Sequence, residues 1–334
     1  MILKKKISVG LVGSGEISKE YLKIIKNFNH KVVTLVTKTN SKKNKEFKKK
    51  YKIKNHFTNF EKAINHEVYV DFWIICSSWD SLYKNLKIAI KYNLVFLIEK
   101  SLTFSSNQIL KLIKLLPKKK LNNIYVGYNR NYYDFVPKLI NDLNQDKLVS
   151  VNAYLPDSYS RIINKKGTKI KKYITKYITS HWISFIFCIL KKTGHKIKLK
   201  KFKLYTEGRD CLKSKILILE AKKNKKIFPI FINLIPNNPS NIELTFVSSK
   251  KKYVLSPLEK LVEFKKINIL KGANNQNMYY PKIKIYKTDR SFKPGLKNMY
   301  KDFIDICLFN KKKKHYLTDL KDLIQIYKIC EILN

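Results

Sequence analysis

The chain has 334 residues and a formal net charge of +46 at pH 7. Its length suggests about two domains, each able to bury a core, and no apolar run approaches the ~20 residues that a membrane helix needs. Of 70 basic residues only Arg130, Arg161, Arg209 and Arg290 are arginines, and the lysines run through the whole chain. Nucleic-acid sites favour the planar fork of arginine. The lysine excess, which rises with Asn, Ile, Tyr and Phe, reads as codon bias toward A and T, so no specific nucleic acid and no membrane is expected as a partner. The five cysteines (Cys76, Cys188, Cys211, Cys307, Cys330) are scattered with no C-x-x-C pair. They imply reduced thiols, a cytoplasmic location and no metal site. Lys4, Lys5 and Lys6 precede an apolar stretch broken by Gly10, Gly13 and Gly15, which argues against a secretory leader.

Residues 6–25 read as strand, glycine turn and helix. The run Ile7, Val9, Leu11, Val12 meets Gly13-Ser14-Gly15, and Ile17, Tyr21, Leu22 and Ile25 then share one helix face. In that context Gly13 lets the chain turn and Gly15 lets backbone approach a pyrophosphate. The N–H groups of the helix start, at Glu16 and Ile17, point at its charge. The third position of the dinucleotide fingerprint is Ser18, small enough for helix–strand packing; a plain strand-to-helix turn is the alternative. Residues 30–36 are a second strand. An acid at the end of this strand would hold the ribose diol of NAD. Here Thr37, Lys38, Thr39 and Asn40 follow, which suits a 2′-phosphate, so NADP is favoured over NAD as cofactor.

Residues 41–51 predict a lysine-rich helix, and 57–64 a loop with a short helix. Residues 70–76 form a continuous apolar strand, as in a parallel sheet. Cys76, Ser77 and Trp79 lie at its end, where such sheets bind ligands, and are expected at the cofactor. A helix at 81–92 is followed by a buried strand at 94–98 that leads into Glu99-Lys100-Ser101. A helix at 105–116 and a strand at 123–126 then run into Gly127-Tyr128-Asn129-Arg130. This alternation predicts a Rossmann-type, doubly wound parallel sheet over residues 1–126. Beyond it come a strand at 148–155, an apolar helix over 173–191 carrying His181, and runs at 201–205, 215–221, 227–234, 242–247, 253–255 and 262–269. These alternate like an antiparallel sheet, and helices at 296–308 and 318–332 close the chain. The expected class is α/β. The second α/β domain, 127–334, carries an open, mostly antiparallel sheet, and the C-terminal helix is free to pack back on the first domain.

The order of these features (G-x-G, Glu99-Lys100, Gly127-Tyr128-Asn129-Arg130, the helix with His181) resembles the Gfo/Idh/MocA family of NAD(P)-dependent sugar and cyclitol dehydrogenases. The resemblance spans the chain, including Phe292-Lys293-Pro294-Gly295 and Thr318-Asp319-Leu320. It implies a Rossmann domain and a second domain whose open sheet makes the interface of a homodimer or homotetramer. It also implies hydride transfer between nicotinamide and a sugar or nucleotide-sugar carbon. The stretch 292–295 looks most like members from surface-polysaccharide biosynthesis.

Residue roles follow from the same resemblance. Lys100 matches the acid/base lysine of the family's Glu-Lys-Pro motif, placed near both cofactor and substrate, and Glu99 matches the acid; Ser101 replaces the proline. His181 matches the histidine of an Asp-x-x-x-His helix, and Tyr177, able to relay a proton, stands at the aspartate. The expected catalytic set is Lys100, His181 and Tyr177, with Asn129 and Arg130 joining Lys100 and His181 at the substrate. Ser184, Ser77-Ser78 and Leu82 depart from the family's later acid, its Thr-Pro and a histidine. These departures keep a second class open, a redox-silent dinucleotide-binding protein with a sensing or scaffold role.

Overall fold

The computed structural model describes residues 6–102, 105–114, 116, 124–207, 212–311 and 315–334; Asn123 and Cys211 lie outside them. Two compact units form. One runs to Tyr132 and resumes over Arg290–Tyr327; the other is Tyr133–Asp289 with Lys328–Asn334. The chain thus divides after Tyr132 rather than after residue 126; residues 290–319, expected in the second domain, belong to the first, as does the C-terminal helix through Tyr327, for which packing on the first domain was left open.

In the first unit β1 (Ser8–Val12), β2 (Lys31–Val36), β3 (Asn55–Phe57), β4 (Phe72–Ile75), β5 (Phe96–Glu99) and β6 (Ile124–Gly127) pair in parallel in the order β6-β5-β4-β1-β2-β3. The strand Thr318–Asp319 adds an antiparallel edge beside β6. Helices α1 (Glu16–Asn27), α2 (Lys42–Lys50), α3 (Phe60–Ile64), α4 (Leu82–Lys91) and α5 (Ser106–Lys114) alternate with the strands. All four residues of β4 and of β5 are buried, which is why both read as unbroken apolar runs. The sequence reading missed β3. Asn-His-Phe is too short and polar to show a strand period, and pairing with β2 holds it. Strand order reverses between β1 and β4, and the crevice outside the ends of these two strands is where such sheets bind ligands.

The helix Leu296–Cys307 explains why residues 290–327 return to this unit. Leu296, Met299, Tyr300 and Phe303 are fully buried, in one cluster with Phe72, Ile74 and Tyr125 of the sheet. The Phe303 ring lies 5.2 Å from that of Phe72, and the Tyr300 hydroxyl is 2.8 Å from His30 Nδ1. Each such side chain contributes roughly 1.5–3 kcal/mol of burial.

The second unit holds β7 (Leu148–Leu155), β8 (Lys196–Glu207), β9 (Ser214–Lys223), β10 (Lys226–Leu234), β11 (Glu243–Ser248), β12 (Lys251–Leu255), β13 (Lys260–Lys271) and β14 (Asn277–Lys287) in the order β14-β13-β12-β11-β7-β10-β9-β8. Only β7–β10 is parallel, so the sheet is mixed but mostly antiparallel. Alternate residues such as Leu217, Leu219 and Ala221 are buried, while Ile216, Ile227, Ile283 and Ile285 on the other alternation are exposed. One face is covered and the other open. Strand β14 escaped the sequence reading because Pro281 argues against a strand; it pairs only with β13, at the sheet edge. The unit also carries α6 (Val136–Gln145), α7 (Tyr159–Lys166) and α8 (Ser180–Lys192). Among the described residues no helix is long and apolar enough to cross a membrane, and no His/Cys/Asp/Glu group is placed to hold a metal.

Candidate active site

The glycine turn sits at the strand-order reversal. Gly13 adopts φ +115°, and a Cβ there would stand 2.5 Å from the Cys76 carbonyl oxygen and 3.0 Å from Ser77 N. Its N–H donates to Val36 O at 2.8 Å. The turn after β1 is thereby pressed against the end of β4. Gly15 differs. It is the N-cap of α1, with φ −78° and no side chain capping the first turn, and a Cβ would meet nothing within 4 Å. The space over Gly15 and the helix N–H groups at Glu16 and Ile17 fit an anionic pyrophosphate. Ser18 is fully buried, its Oγ 3.1 Å from Cys76 Sγ. Burial pushes that thiol up to about 12, despite its hydrogen bond with Ser18. Cys76 is therefore an inert interior thiol, and only its main chain is left to line a dinucleotide crevice.

Asn44 and His56, missed in the sequence, order the end of β2 together with Ser14, Thr37 and Thr39. Ser14 Oγ donates to Asn44 Oδ1 at 2.7 Å, and Asn44 Nδ2 donates to Thr39 O at 2.8 Å. Thr37 Oγ1 donates to the same carbonyl at 2.7 Å and lies 2.7 Å from His56 Nε2. Burial, and then Lys48, hold His56 below its ordinary value, so its ring stays neutral near pH 7. Lys38 faces an acid after all, though not from its own strand. Its Nζ is 3.7 Å from Asp80 Oδ2, with the two side chains 80% and 48% exposed. So exposed a pair is worth little and yields readily to a phosphate. Ser78 Oγ donates to Asp80 Oδ1 at 2.5 Å, the main cause holding that carboxyl below its ordinary value. Ser77 Oγ accepts from Asn85 Nδ2 at 2.8 Å, and Trp79 is half-buried beside it in sequence.

At the end of β5, Glu99 is buried and Lys100 half-buried. The Tyr21 hydroxyl of α1 donates to Glu99 Oε1 at 2.6 Å. Burial pushes the carboxyl up, while Lys293, the Tyr21 hydrogen bond and Lys100 pull it back. The Lys100–Ser101 peptide bond is cis. Asn129 and Arg130 lie in a short 3-10 turn after β6. Asn129 Nδ2 donates to Pro294 O at 2.7 Å, so its amide holds the 292–295 segment.

In the second unit, the helix expected over 173–191 is built in three parts: a 3-10 turn Thr168–Tyr173, a π turn Thr175–Thr179 and α8. Tyr177 lies in the π turn and His181 in the first turn of α8, so the four-residue spacing is not that of two residues on one α-helix face. Buried Asp157 grips the junction. It accepts from Thr179 Oγ1 at 2.5 Å and from Trp182 Nε1 at 2.9 Å, on either side of His181. Lys176 pairs with Glu331 at 2.9 Å. Tyr177 is half-buried, and burial pushes its phenol up, so it stays protonated. His181 is buried, its ring 5.8 Å from that of Trp182.

A glycine turn at the strand-order reversal, open over the start of α1, is the arrangement of a dinucleotide-binding Rossmann domain. Residues 7–128 match the oxidoreductase family with the NAD-binding Rossmann fold, Gfo/Idh/MocA. The match covers the part of the chain that holds the dinucleotide turn and ends just after β6. A search of curated proteins finds no match. Solved structures share the fold along nearly the whole chain. The apo scyllo-inositol dehydrogenase from Lactobacillus casei is 14% identical with a TM-score of 0.70, covering 99% of this chain and 95% of that one. The UDP-N-acetylglucosamine 3-dehydrogenase GnnA from Acidithiobacillus ferrooxidans is 11% identical with a TM-score of 0.70, covering 98% and 96%. A super-repressor mutant of Gal80p from Saccharomyces cerevisiae is 13% identical with a TM-score of 0.72, covering 98% and 95%. At these identities the likeness is one of fold.

Proposed function

We propose that the protein oxidises or reduces a sugar or nucleotide-sugar carbon with NADP or NAD, in the cytoplasm and in surface-polysaccharide biosynthesis. The observation that carries the reading is Glu99-Lys100 at the end of β5, in the same parallel sheet as the open Gly15 turn. When bound, the nicotinamide supplies the hydride acceptor or donor. In alcohol oxidation the neutral Lys100 amine takes the hydroxyl proton, and in the reverse direction the ammonium returns it. The family resemblance assigns substrate roles to His181, Tyr177, Asn129 and Arg130 as well. A turnover screen of cyclitols and nucleotide-sugars with both nicotinamides, followed by absorbance, tests the reading. A folded protein that binds dinucleotide and turns over none of them would favour the redox-silent alternative. That alternative draws on Tyr177 and Leu82 in place of the family's Asp and His, and on a super-repressor among the fold's relatives.

The cofactor proposal is NADP, from Lys38 and Thr39 beside the end of β2. NADPH is expected to bind more tightly than NADH in fluorescence titrations, and Asp80→Asn to widen the gap by removing a carboxylate near the phosphate. Equal affinities, or tighter NADH binding, would sink it; a high-salt control removes the general pull of the +46 surface on the extra phosphate.

The assembly proposal is a homodimer or homotetramer through the open sheet face. Ile216, Ile283 and Ile285 are large apolar side chains exposed on this sheet, the kind of surface that contiguous apolar interfaces use. The double variant Ile283→Glu with Ile285→Glu should sediment as a monomer while the parent does not. A monomeric parent would refute the proposal.

A further inference from the structure

Asn44, on α2, is a buried amide that bonds both to the glycine turn and to the residues after β2. Its partners fix its orientation. The Thr39 carbonyl oxygen can only accept, so the amide nitrogen faces it, with Nδ2 donating at 2.8 Å. The amide oxygen is left to Ser14, whose Oγ donates to it at 2.7 Å. Thr37 Oγ1 gives its one proton to the same Thr39 oxygen at 2.7 Å. It therefore accepts from His56 Nε2, also 2.7 Å away. Thr37 N donates in turn to Phe57 O of β3 at 3.0 Å. Both lone pairs of the Thr39 carbonyl are thus filled, one from the end of β2 and one from α2. The oxygen is turned toward two buried side chains, while Lys38, Thr39 and Asn40 stay exposed.

We propose that Asn44 is a positioning residue that sets selectivity for a 2′-phosphorylated ribose, by holding the Thr39 carbonyl away from the corner that receives the phosphate. The proposal rests on the reading of residues 37–40 as the NADP-selecting turn and goes beyond it, because neither Lys38 nor the Thr39 side chain decides where that carbonyl points. A carbonyl oxygen carries partial negative charge. Aimed at a phosphate dianion it opposes binding, whereas ammonium and N–H donors favour it. Without the Asn44 amide the Thr39 oxygen keeps only the Thr37 hydroxyl and has room for another donor. The turn must then be ordered again whenever a phosphate binds. The ribose diol of NADH has no charge for that oxygen to repel and can itself donate to it, so the loss falls on NADPH. Ser14 belongs to the phosphate turn, which serves both cofactors alike.

The test is the ratio of the NADH and NADPH dissociation constants, measured by calorimetry on the full chain at two ionic strengths. The fragments 2′,5′-ADP and 5′-AMP are titrated beside them, since they differ at the 2′ position and carry no nicotinamide. Asn44→Ala should weaken NADPH and 2′,5′-ADP by about three- to tenfold, the fold-change that one hydrogen bond is worth. NADH and 5′-AMP should stay within about twofold. Asn44→Asp keeps the shape, loses the donor to Thr39 and adds a negative charge, so it should weaken NADPH by about tenfold or more. Ser14→Ala leaves the bond from Asn44 to Thr39 in place and should change both cofactors by the same factor. If Asn44→Ala and Asn44→Asp leave the ratio where it is in the parent, or lower both affinities together, Asn44 only supports the fold and the proposal is overturned. A parent that binds NADPH no tighter than NADH overturns the NADP reading instead; a fall confined to the 2′-phosphorylated ligands in the Asn44 variants of that parent still supports the role of Asn44. A parent that binds neither dinucleotide overturns both.

Discussion

Lys100→Met is expected to lower turnover by about 10²–10⁴-fold, the ordinary worth of a positioned proton-transfer group, while dinucleotide affinity stays within a few-fold. Methionine keeps the length and apolar stem of lysine and removes only the titratable amine. Lys100 sits at the carboxyl end of β5, in the row of strand ends that also holds the Gly13 turn and Ser77. Its neighbour Glu99 is anchored by Tyr21 from α1, so the strand end stays in place without the amine. His181→Ala should lose less rate than Lys100→Met if the lysine carries the main proton transfer. Tyr177→Phe asks whether the phenol has taken the missing aspartate's part; its raised proton affinity fits a donor and argues against a base. Lys100→Met with most of its activity intact would mean that the family's mechanism does not apply to this chain.

What was legible in the sequence is what repeats locally. The strand, glycine turn and helix of residues 6–25 declare themselves by spacing, and the buried strands β4 and β5 by unbroken apolar runs. Contacts that join distant segments carry no such period. Asn129 and Pro294 are 165 residues apart, and nothing near Asn129 in the sequence tells that its amide also holds the turn at Pro294. Asp80 reaches Lys38 from the end of another strand, so the absence of an acid after β2 was a true statement about sequence and an incomplete one about the site. The π turn at Thr175–Thr179 was hidden for a similar reason. Its sequence is helix-compatible, and the contacts that flank it come from Asp157, 22 residues before Thr179, and from Glu331 near the C-terminus. The return of residues 290–327 to the first unit rests on Leu296, Met299, Tyr300 and Phe303 finding the core of a sheet laid down nearly two hundred residues earlier.

The two glycines of the turn should fail in opposite ways. Gly13→Ala is expected to destabilise the fold by about 2–5 kcal/mol. A positive φ costs a residue with a Cβ roughly 1–2 kcal/mol, and forcing an extra carbon into filled space costs typically 1–3. Here the methyl would meet main chain, the Cys76 carbonyl at 2.5 Å, which has little freedom to yield. Against a total stability on the order of 5–15 kcal/mol this is a large share, and thermal denaturation should show a drop on the order of 10 °C. Gly15→Ala should denature close to the parent. Its backbone is in the extended region and its Cβ would enter open space; the roughly 0.5–1 kcal/mol by which alanine is the poorer N-cap is offset in part by the lower entropy of the unfolded chain. The loss should instead appear in dinucleotide affinity, by about tenfold or more, equivalent to ~1.4 kcal/mol, because the methyl would occupy the space through which a pyrophosphate reaches the first N–H groups of α1. Gly15→Val should deepen that loss without unfolding the protein. If Gly15→Val binds NADPH as tightly as the parent, the pyrophosphate does not lie over this turn, and the opening at Gly15 is only a bend between a strand and a helix.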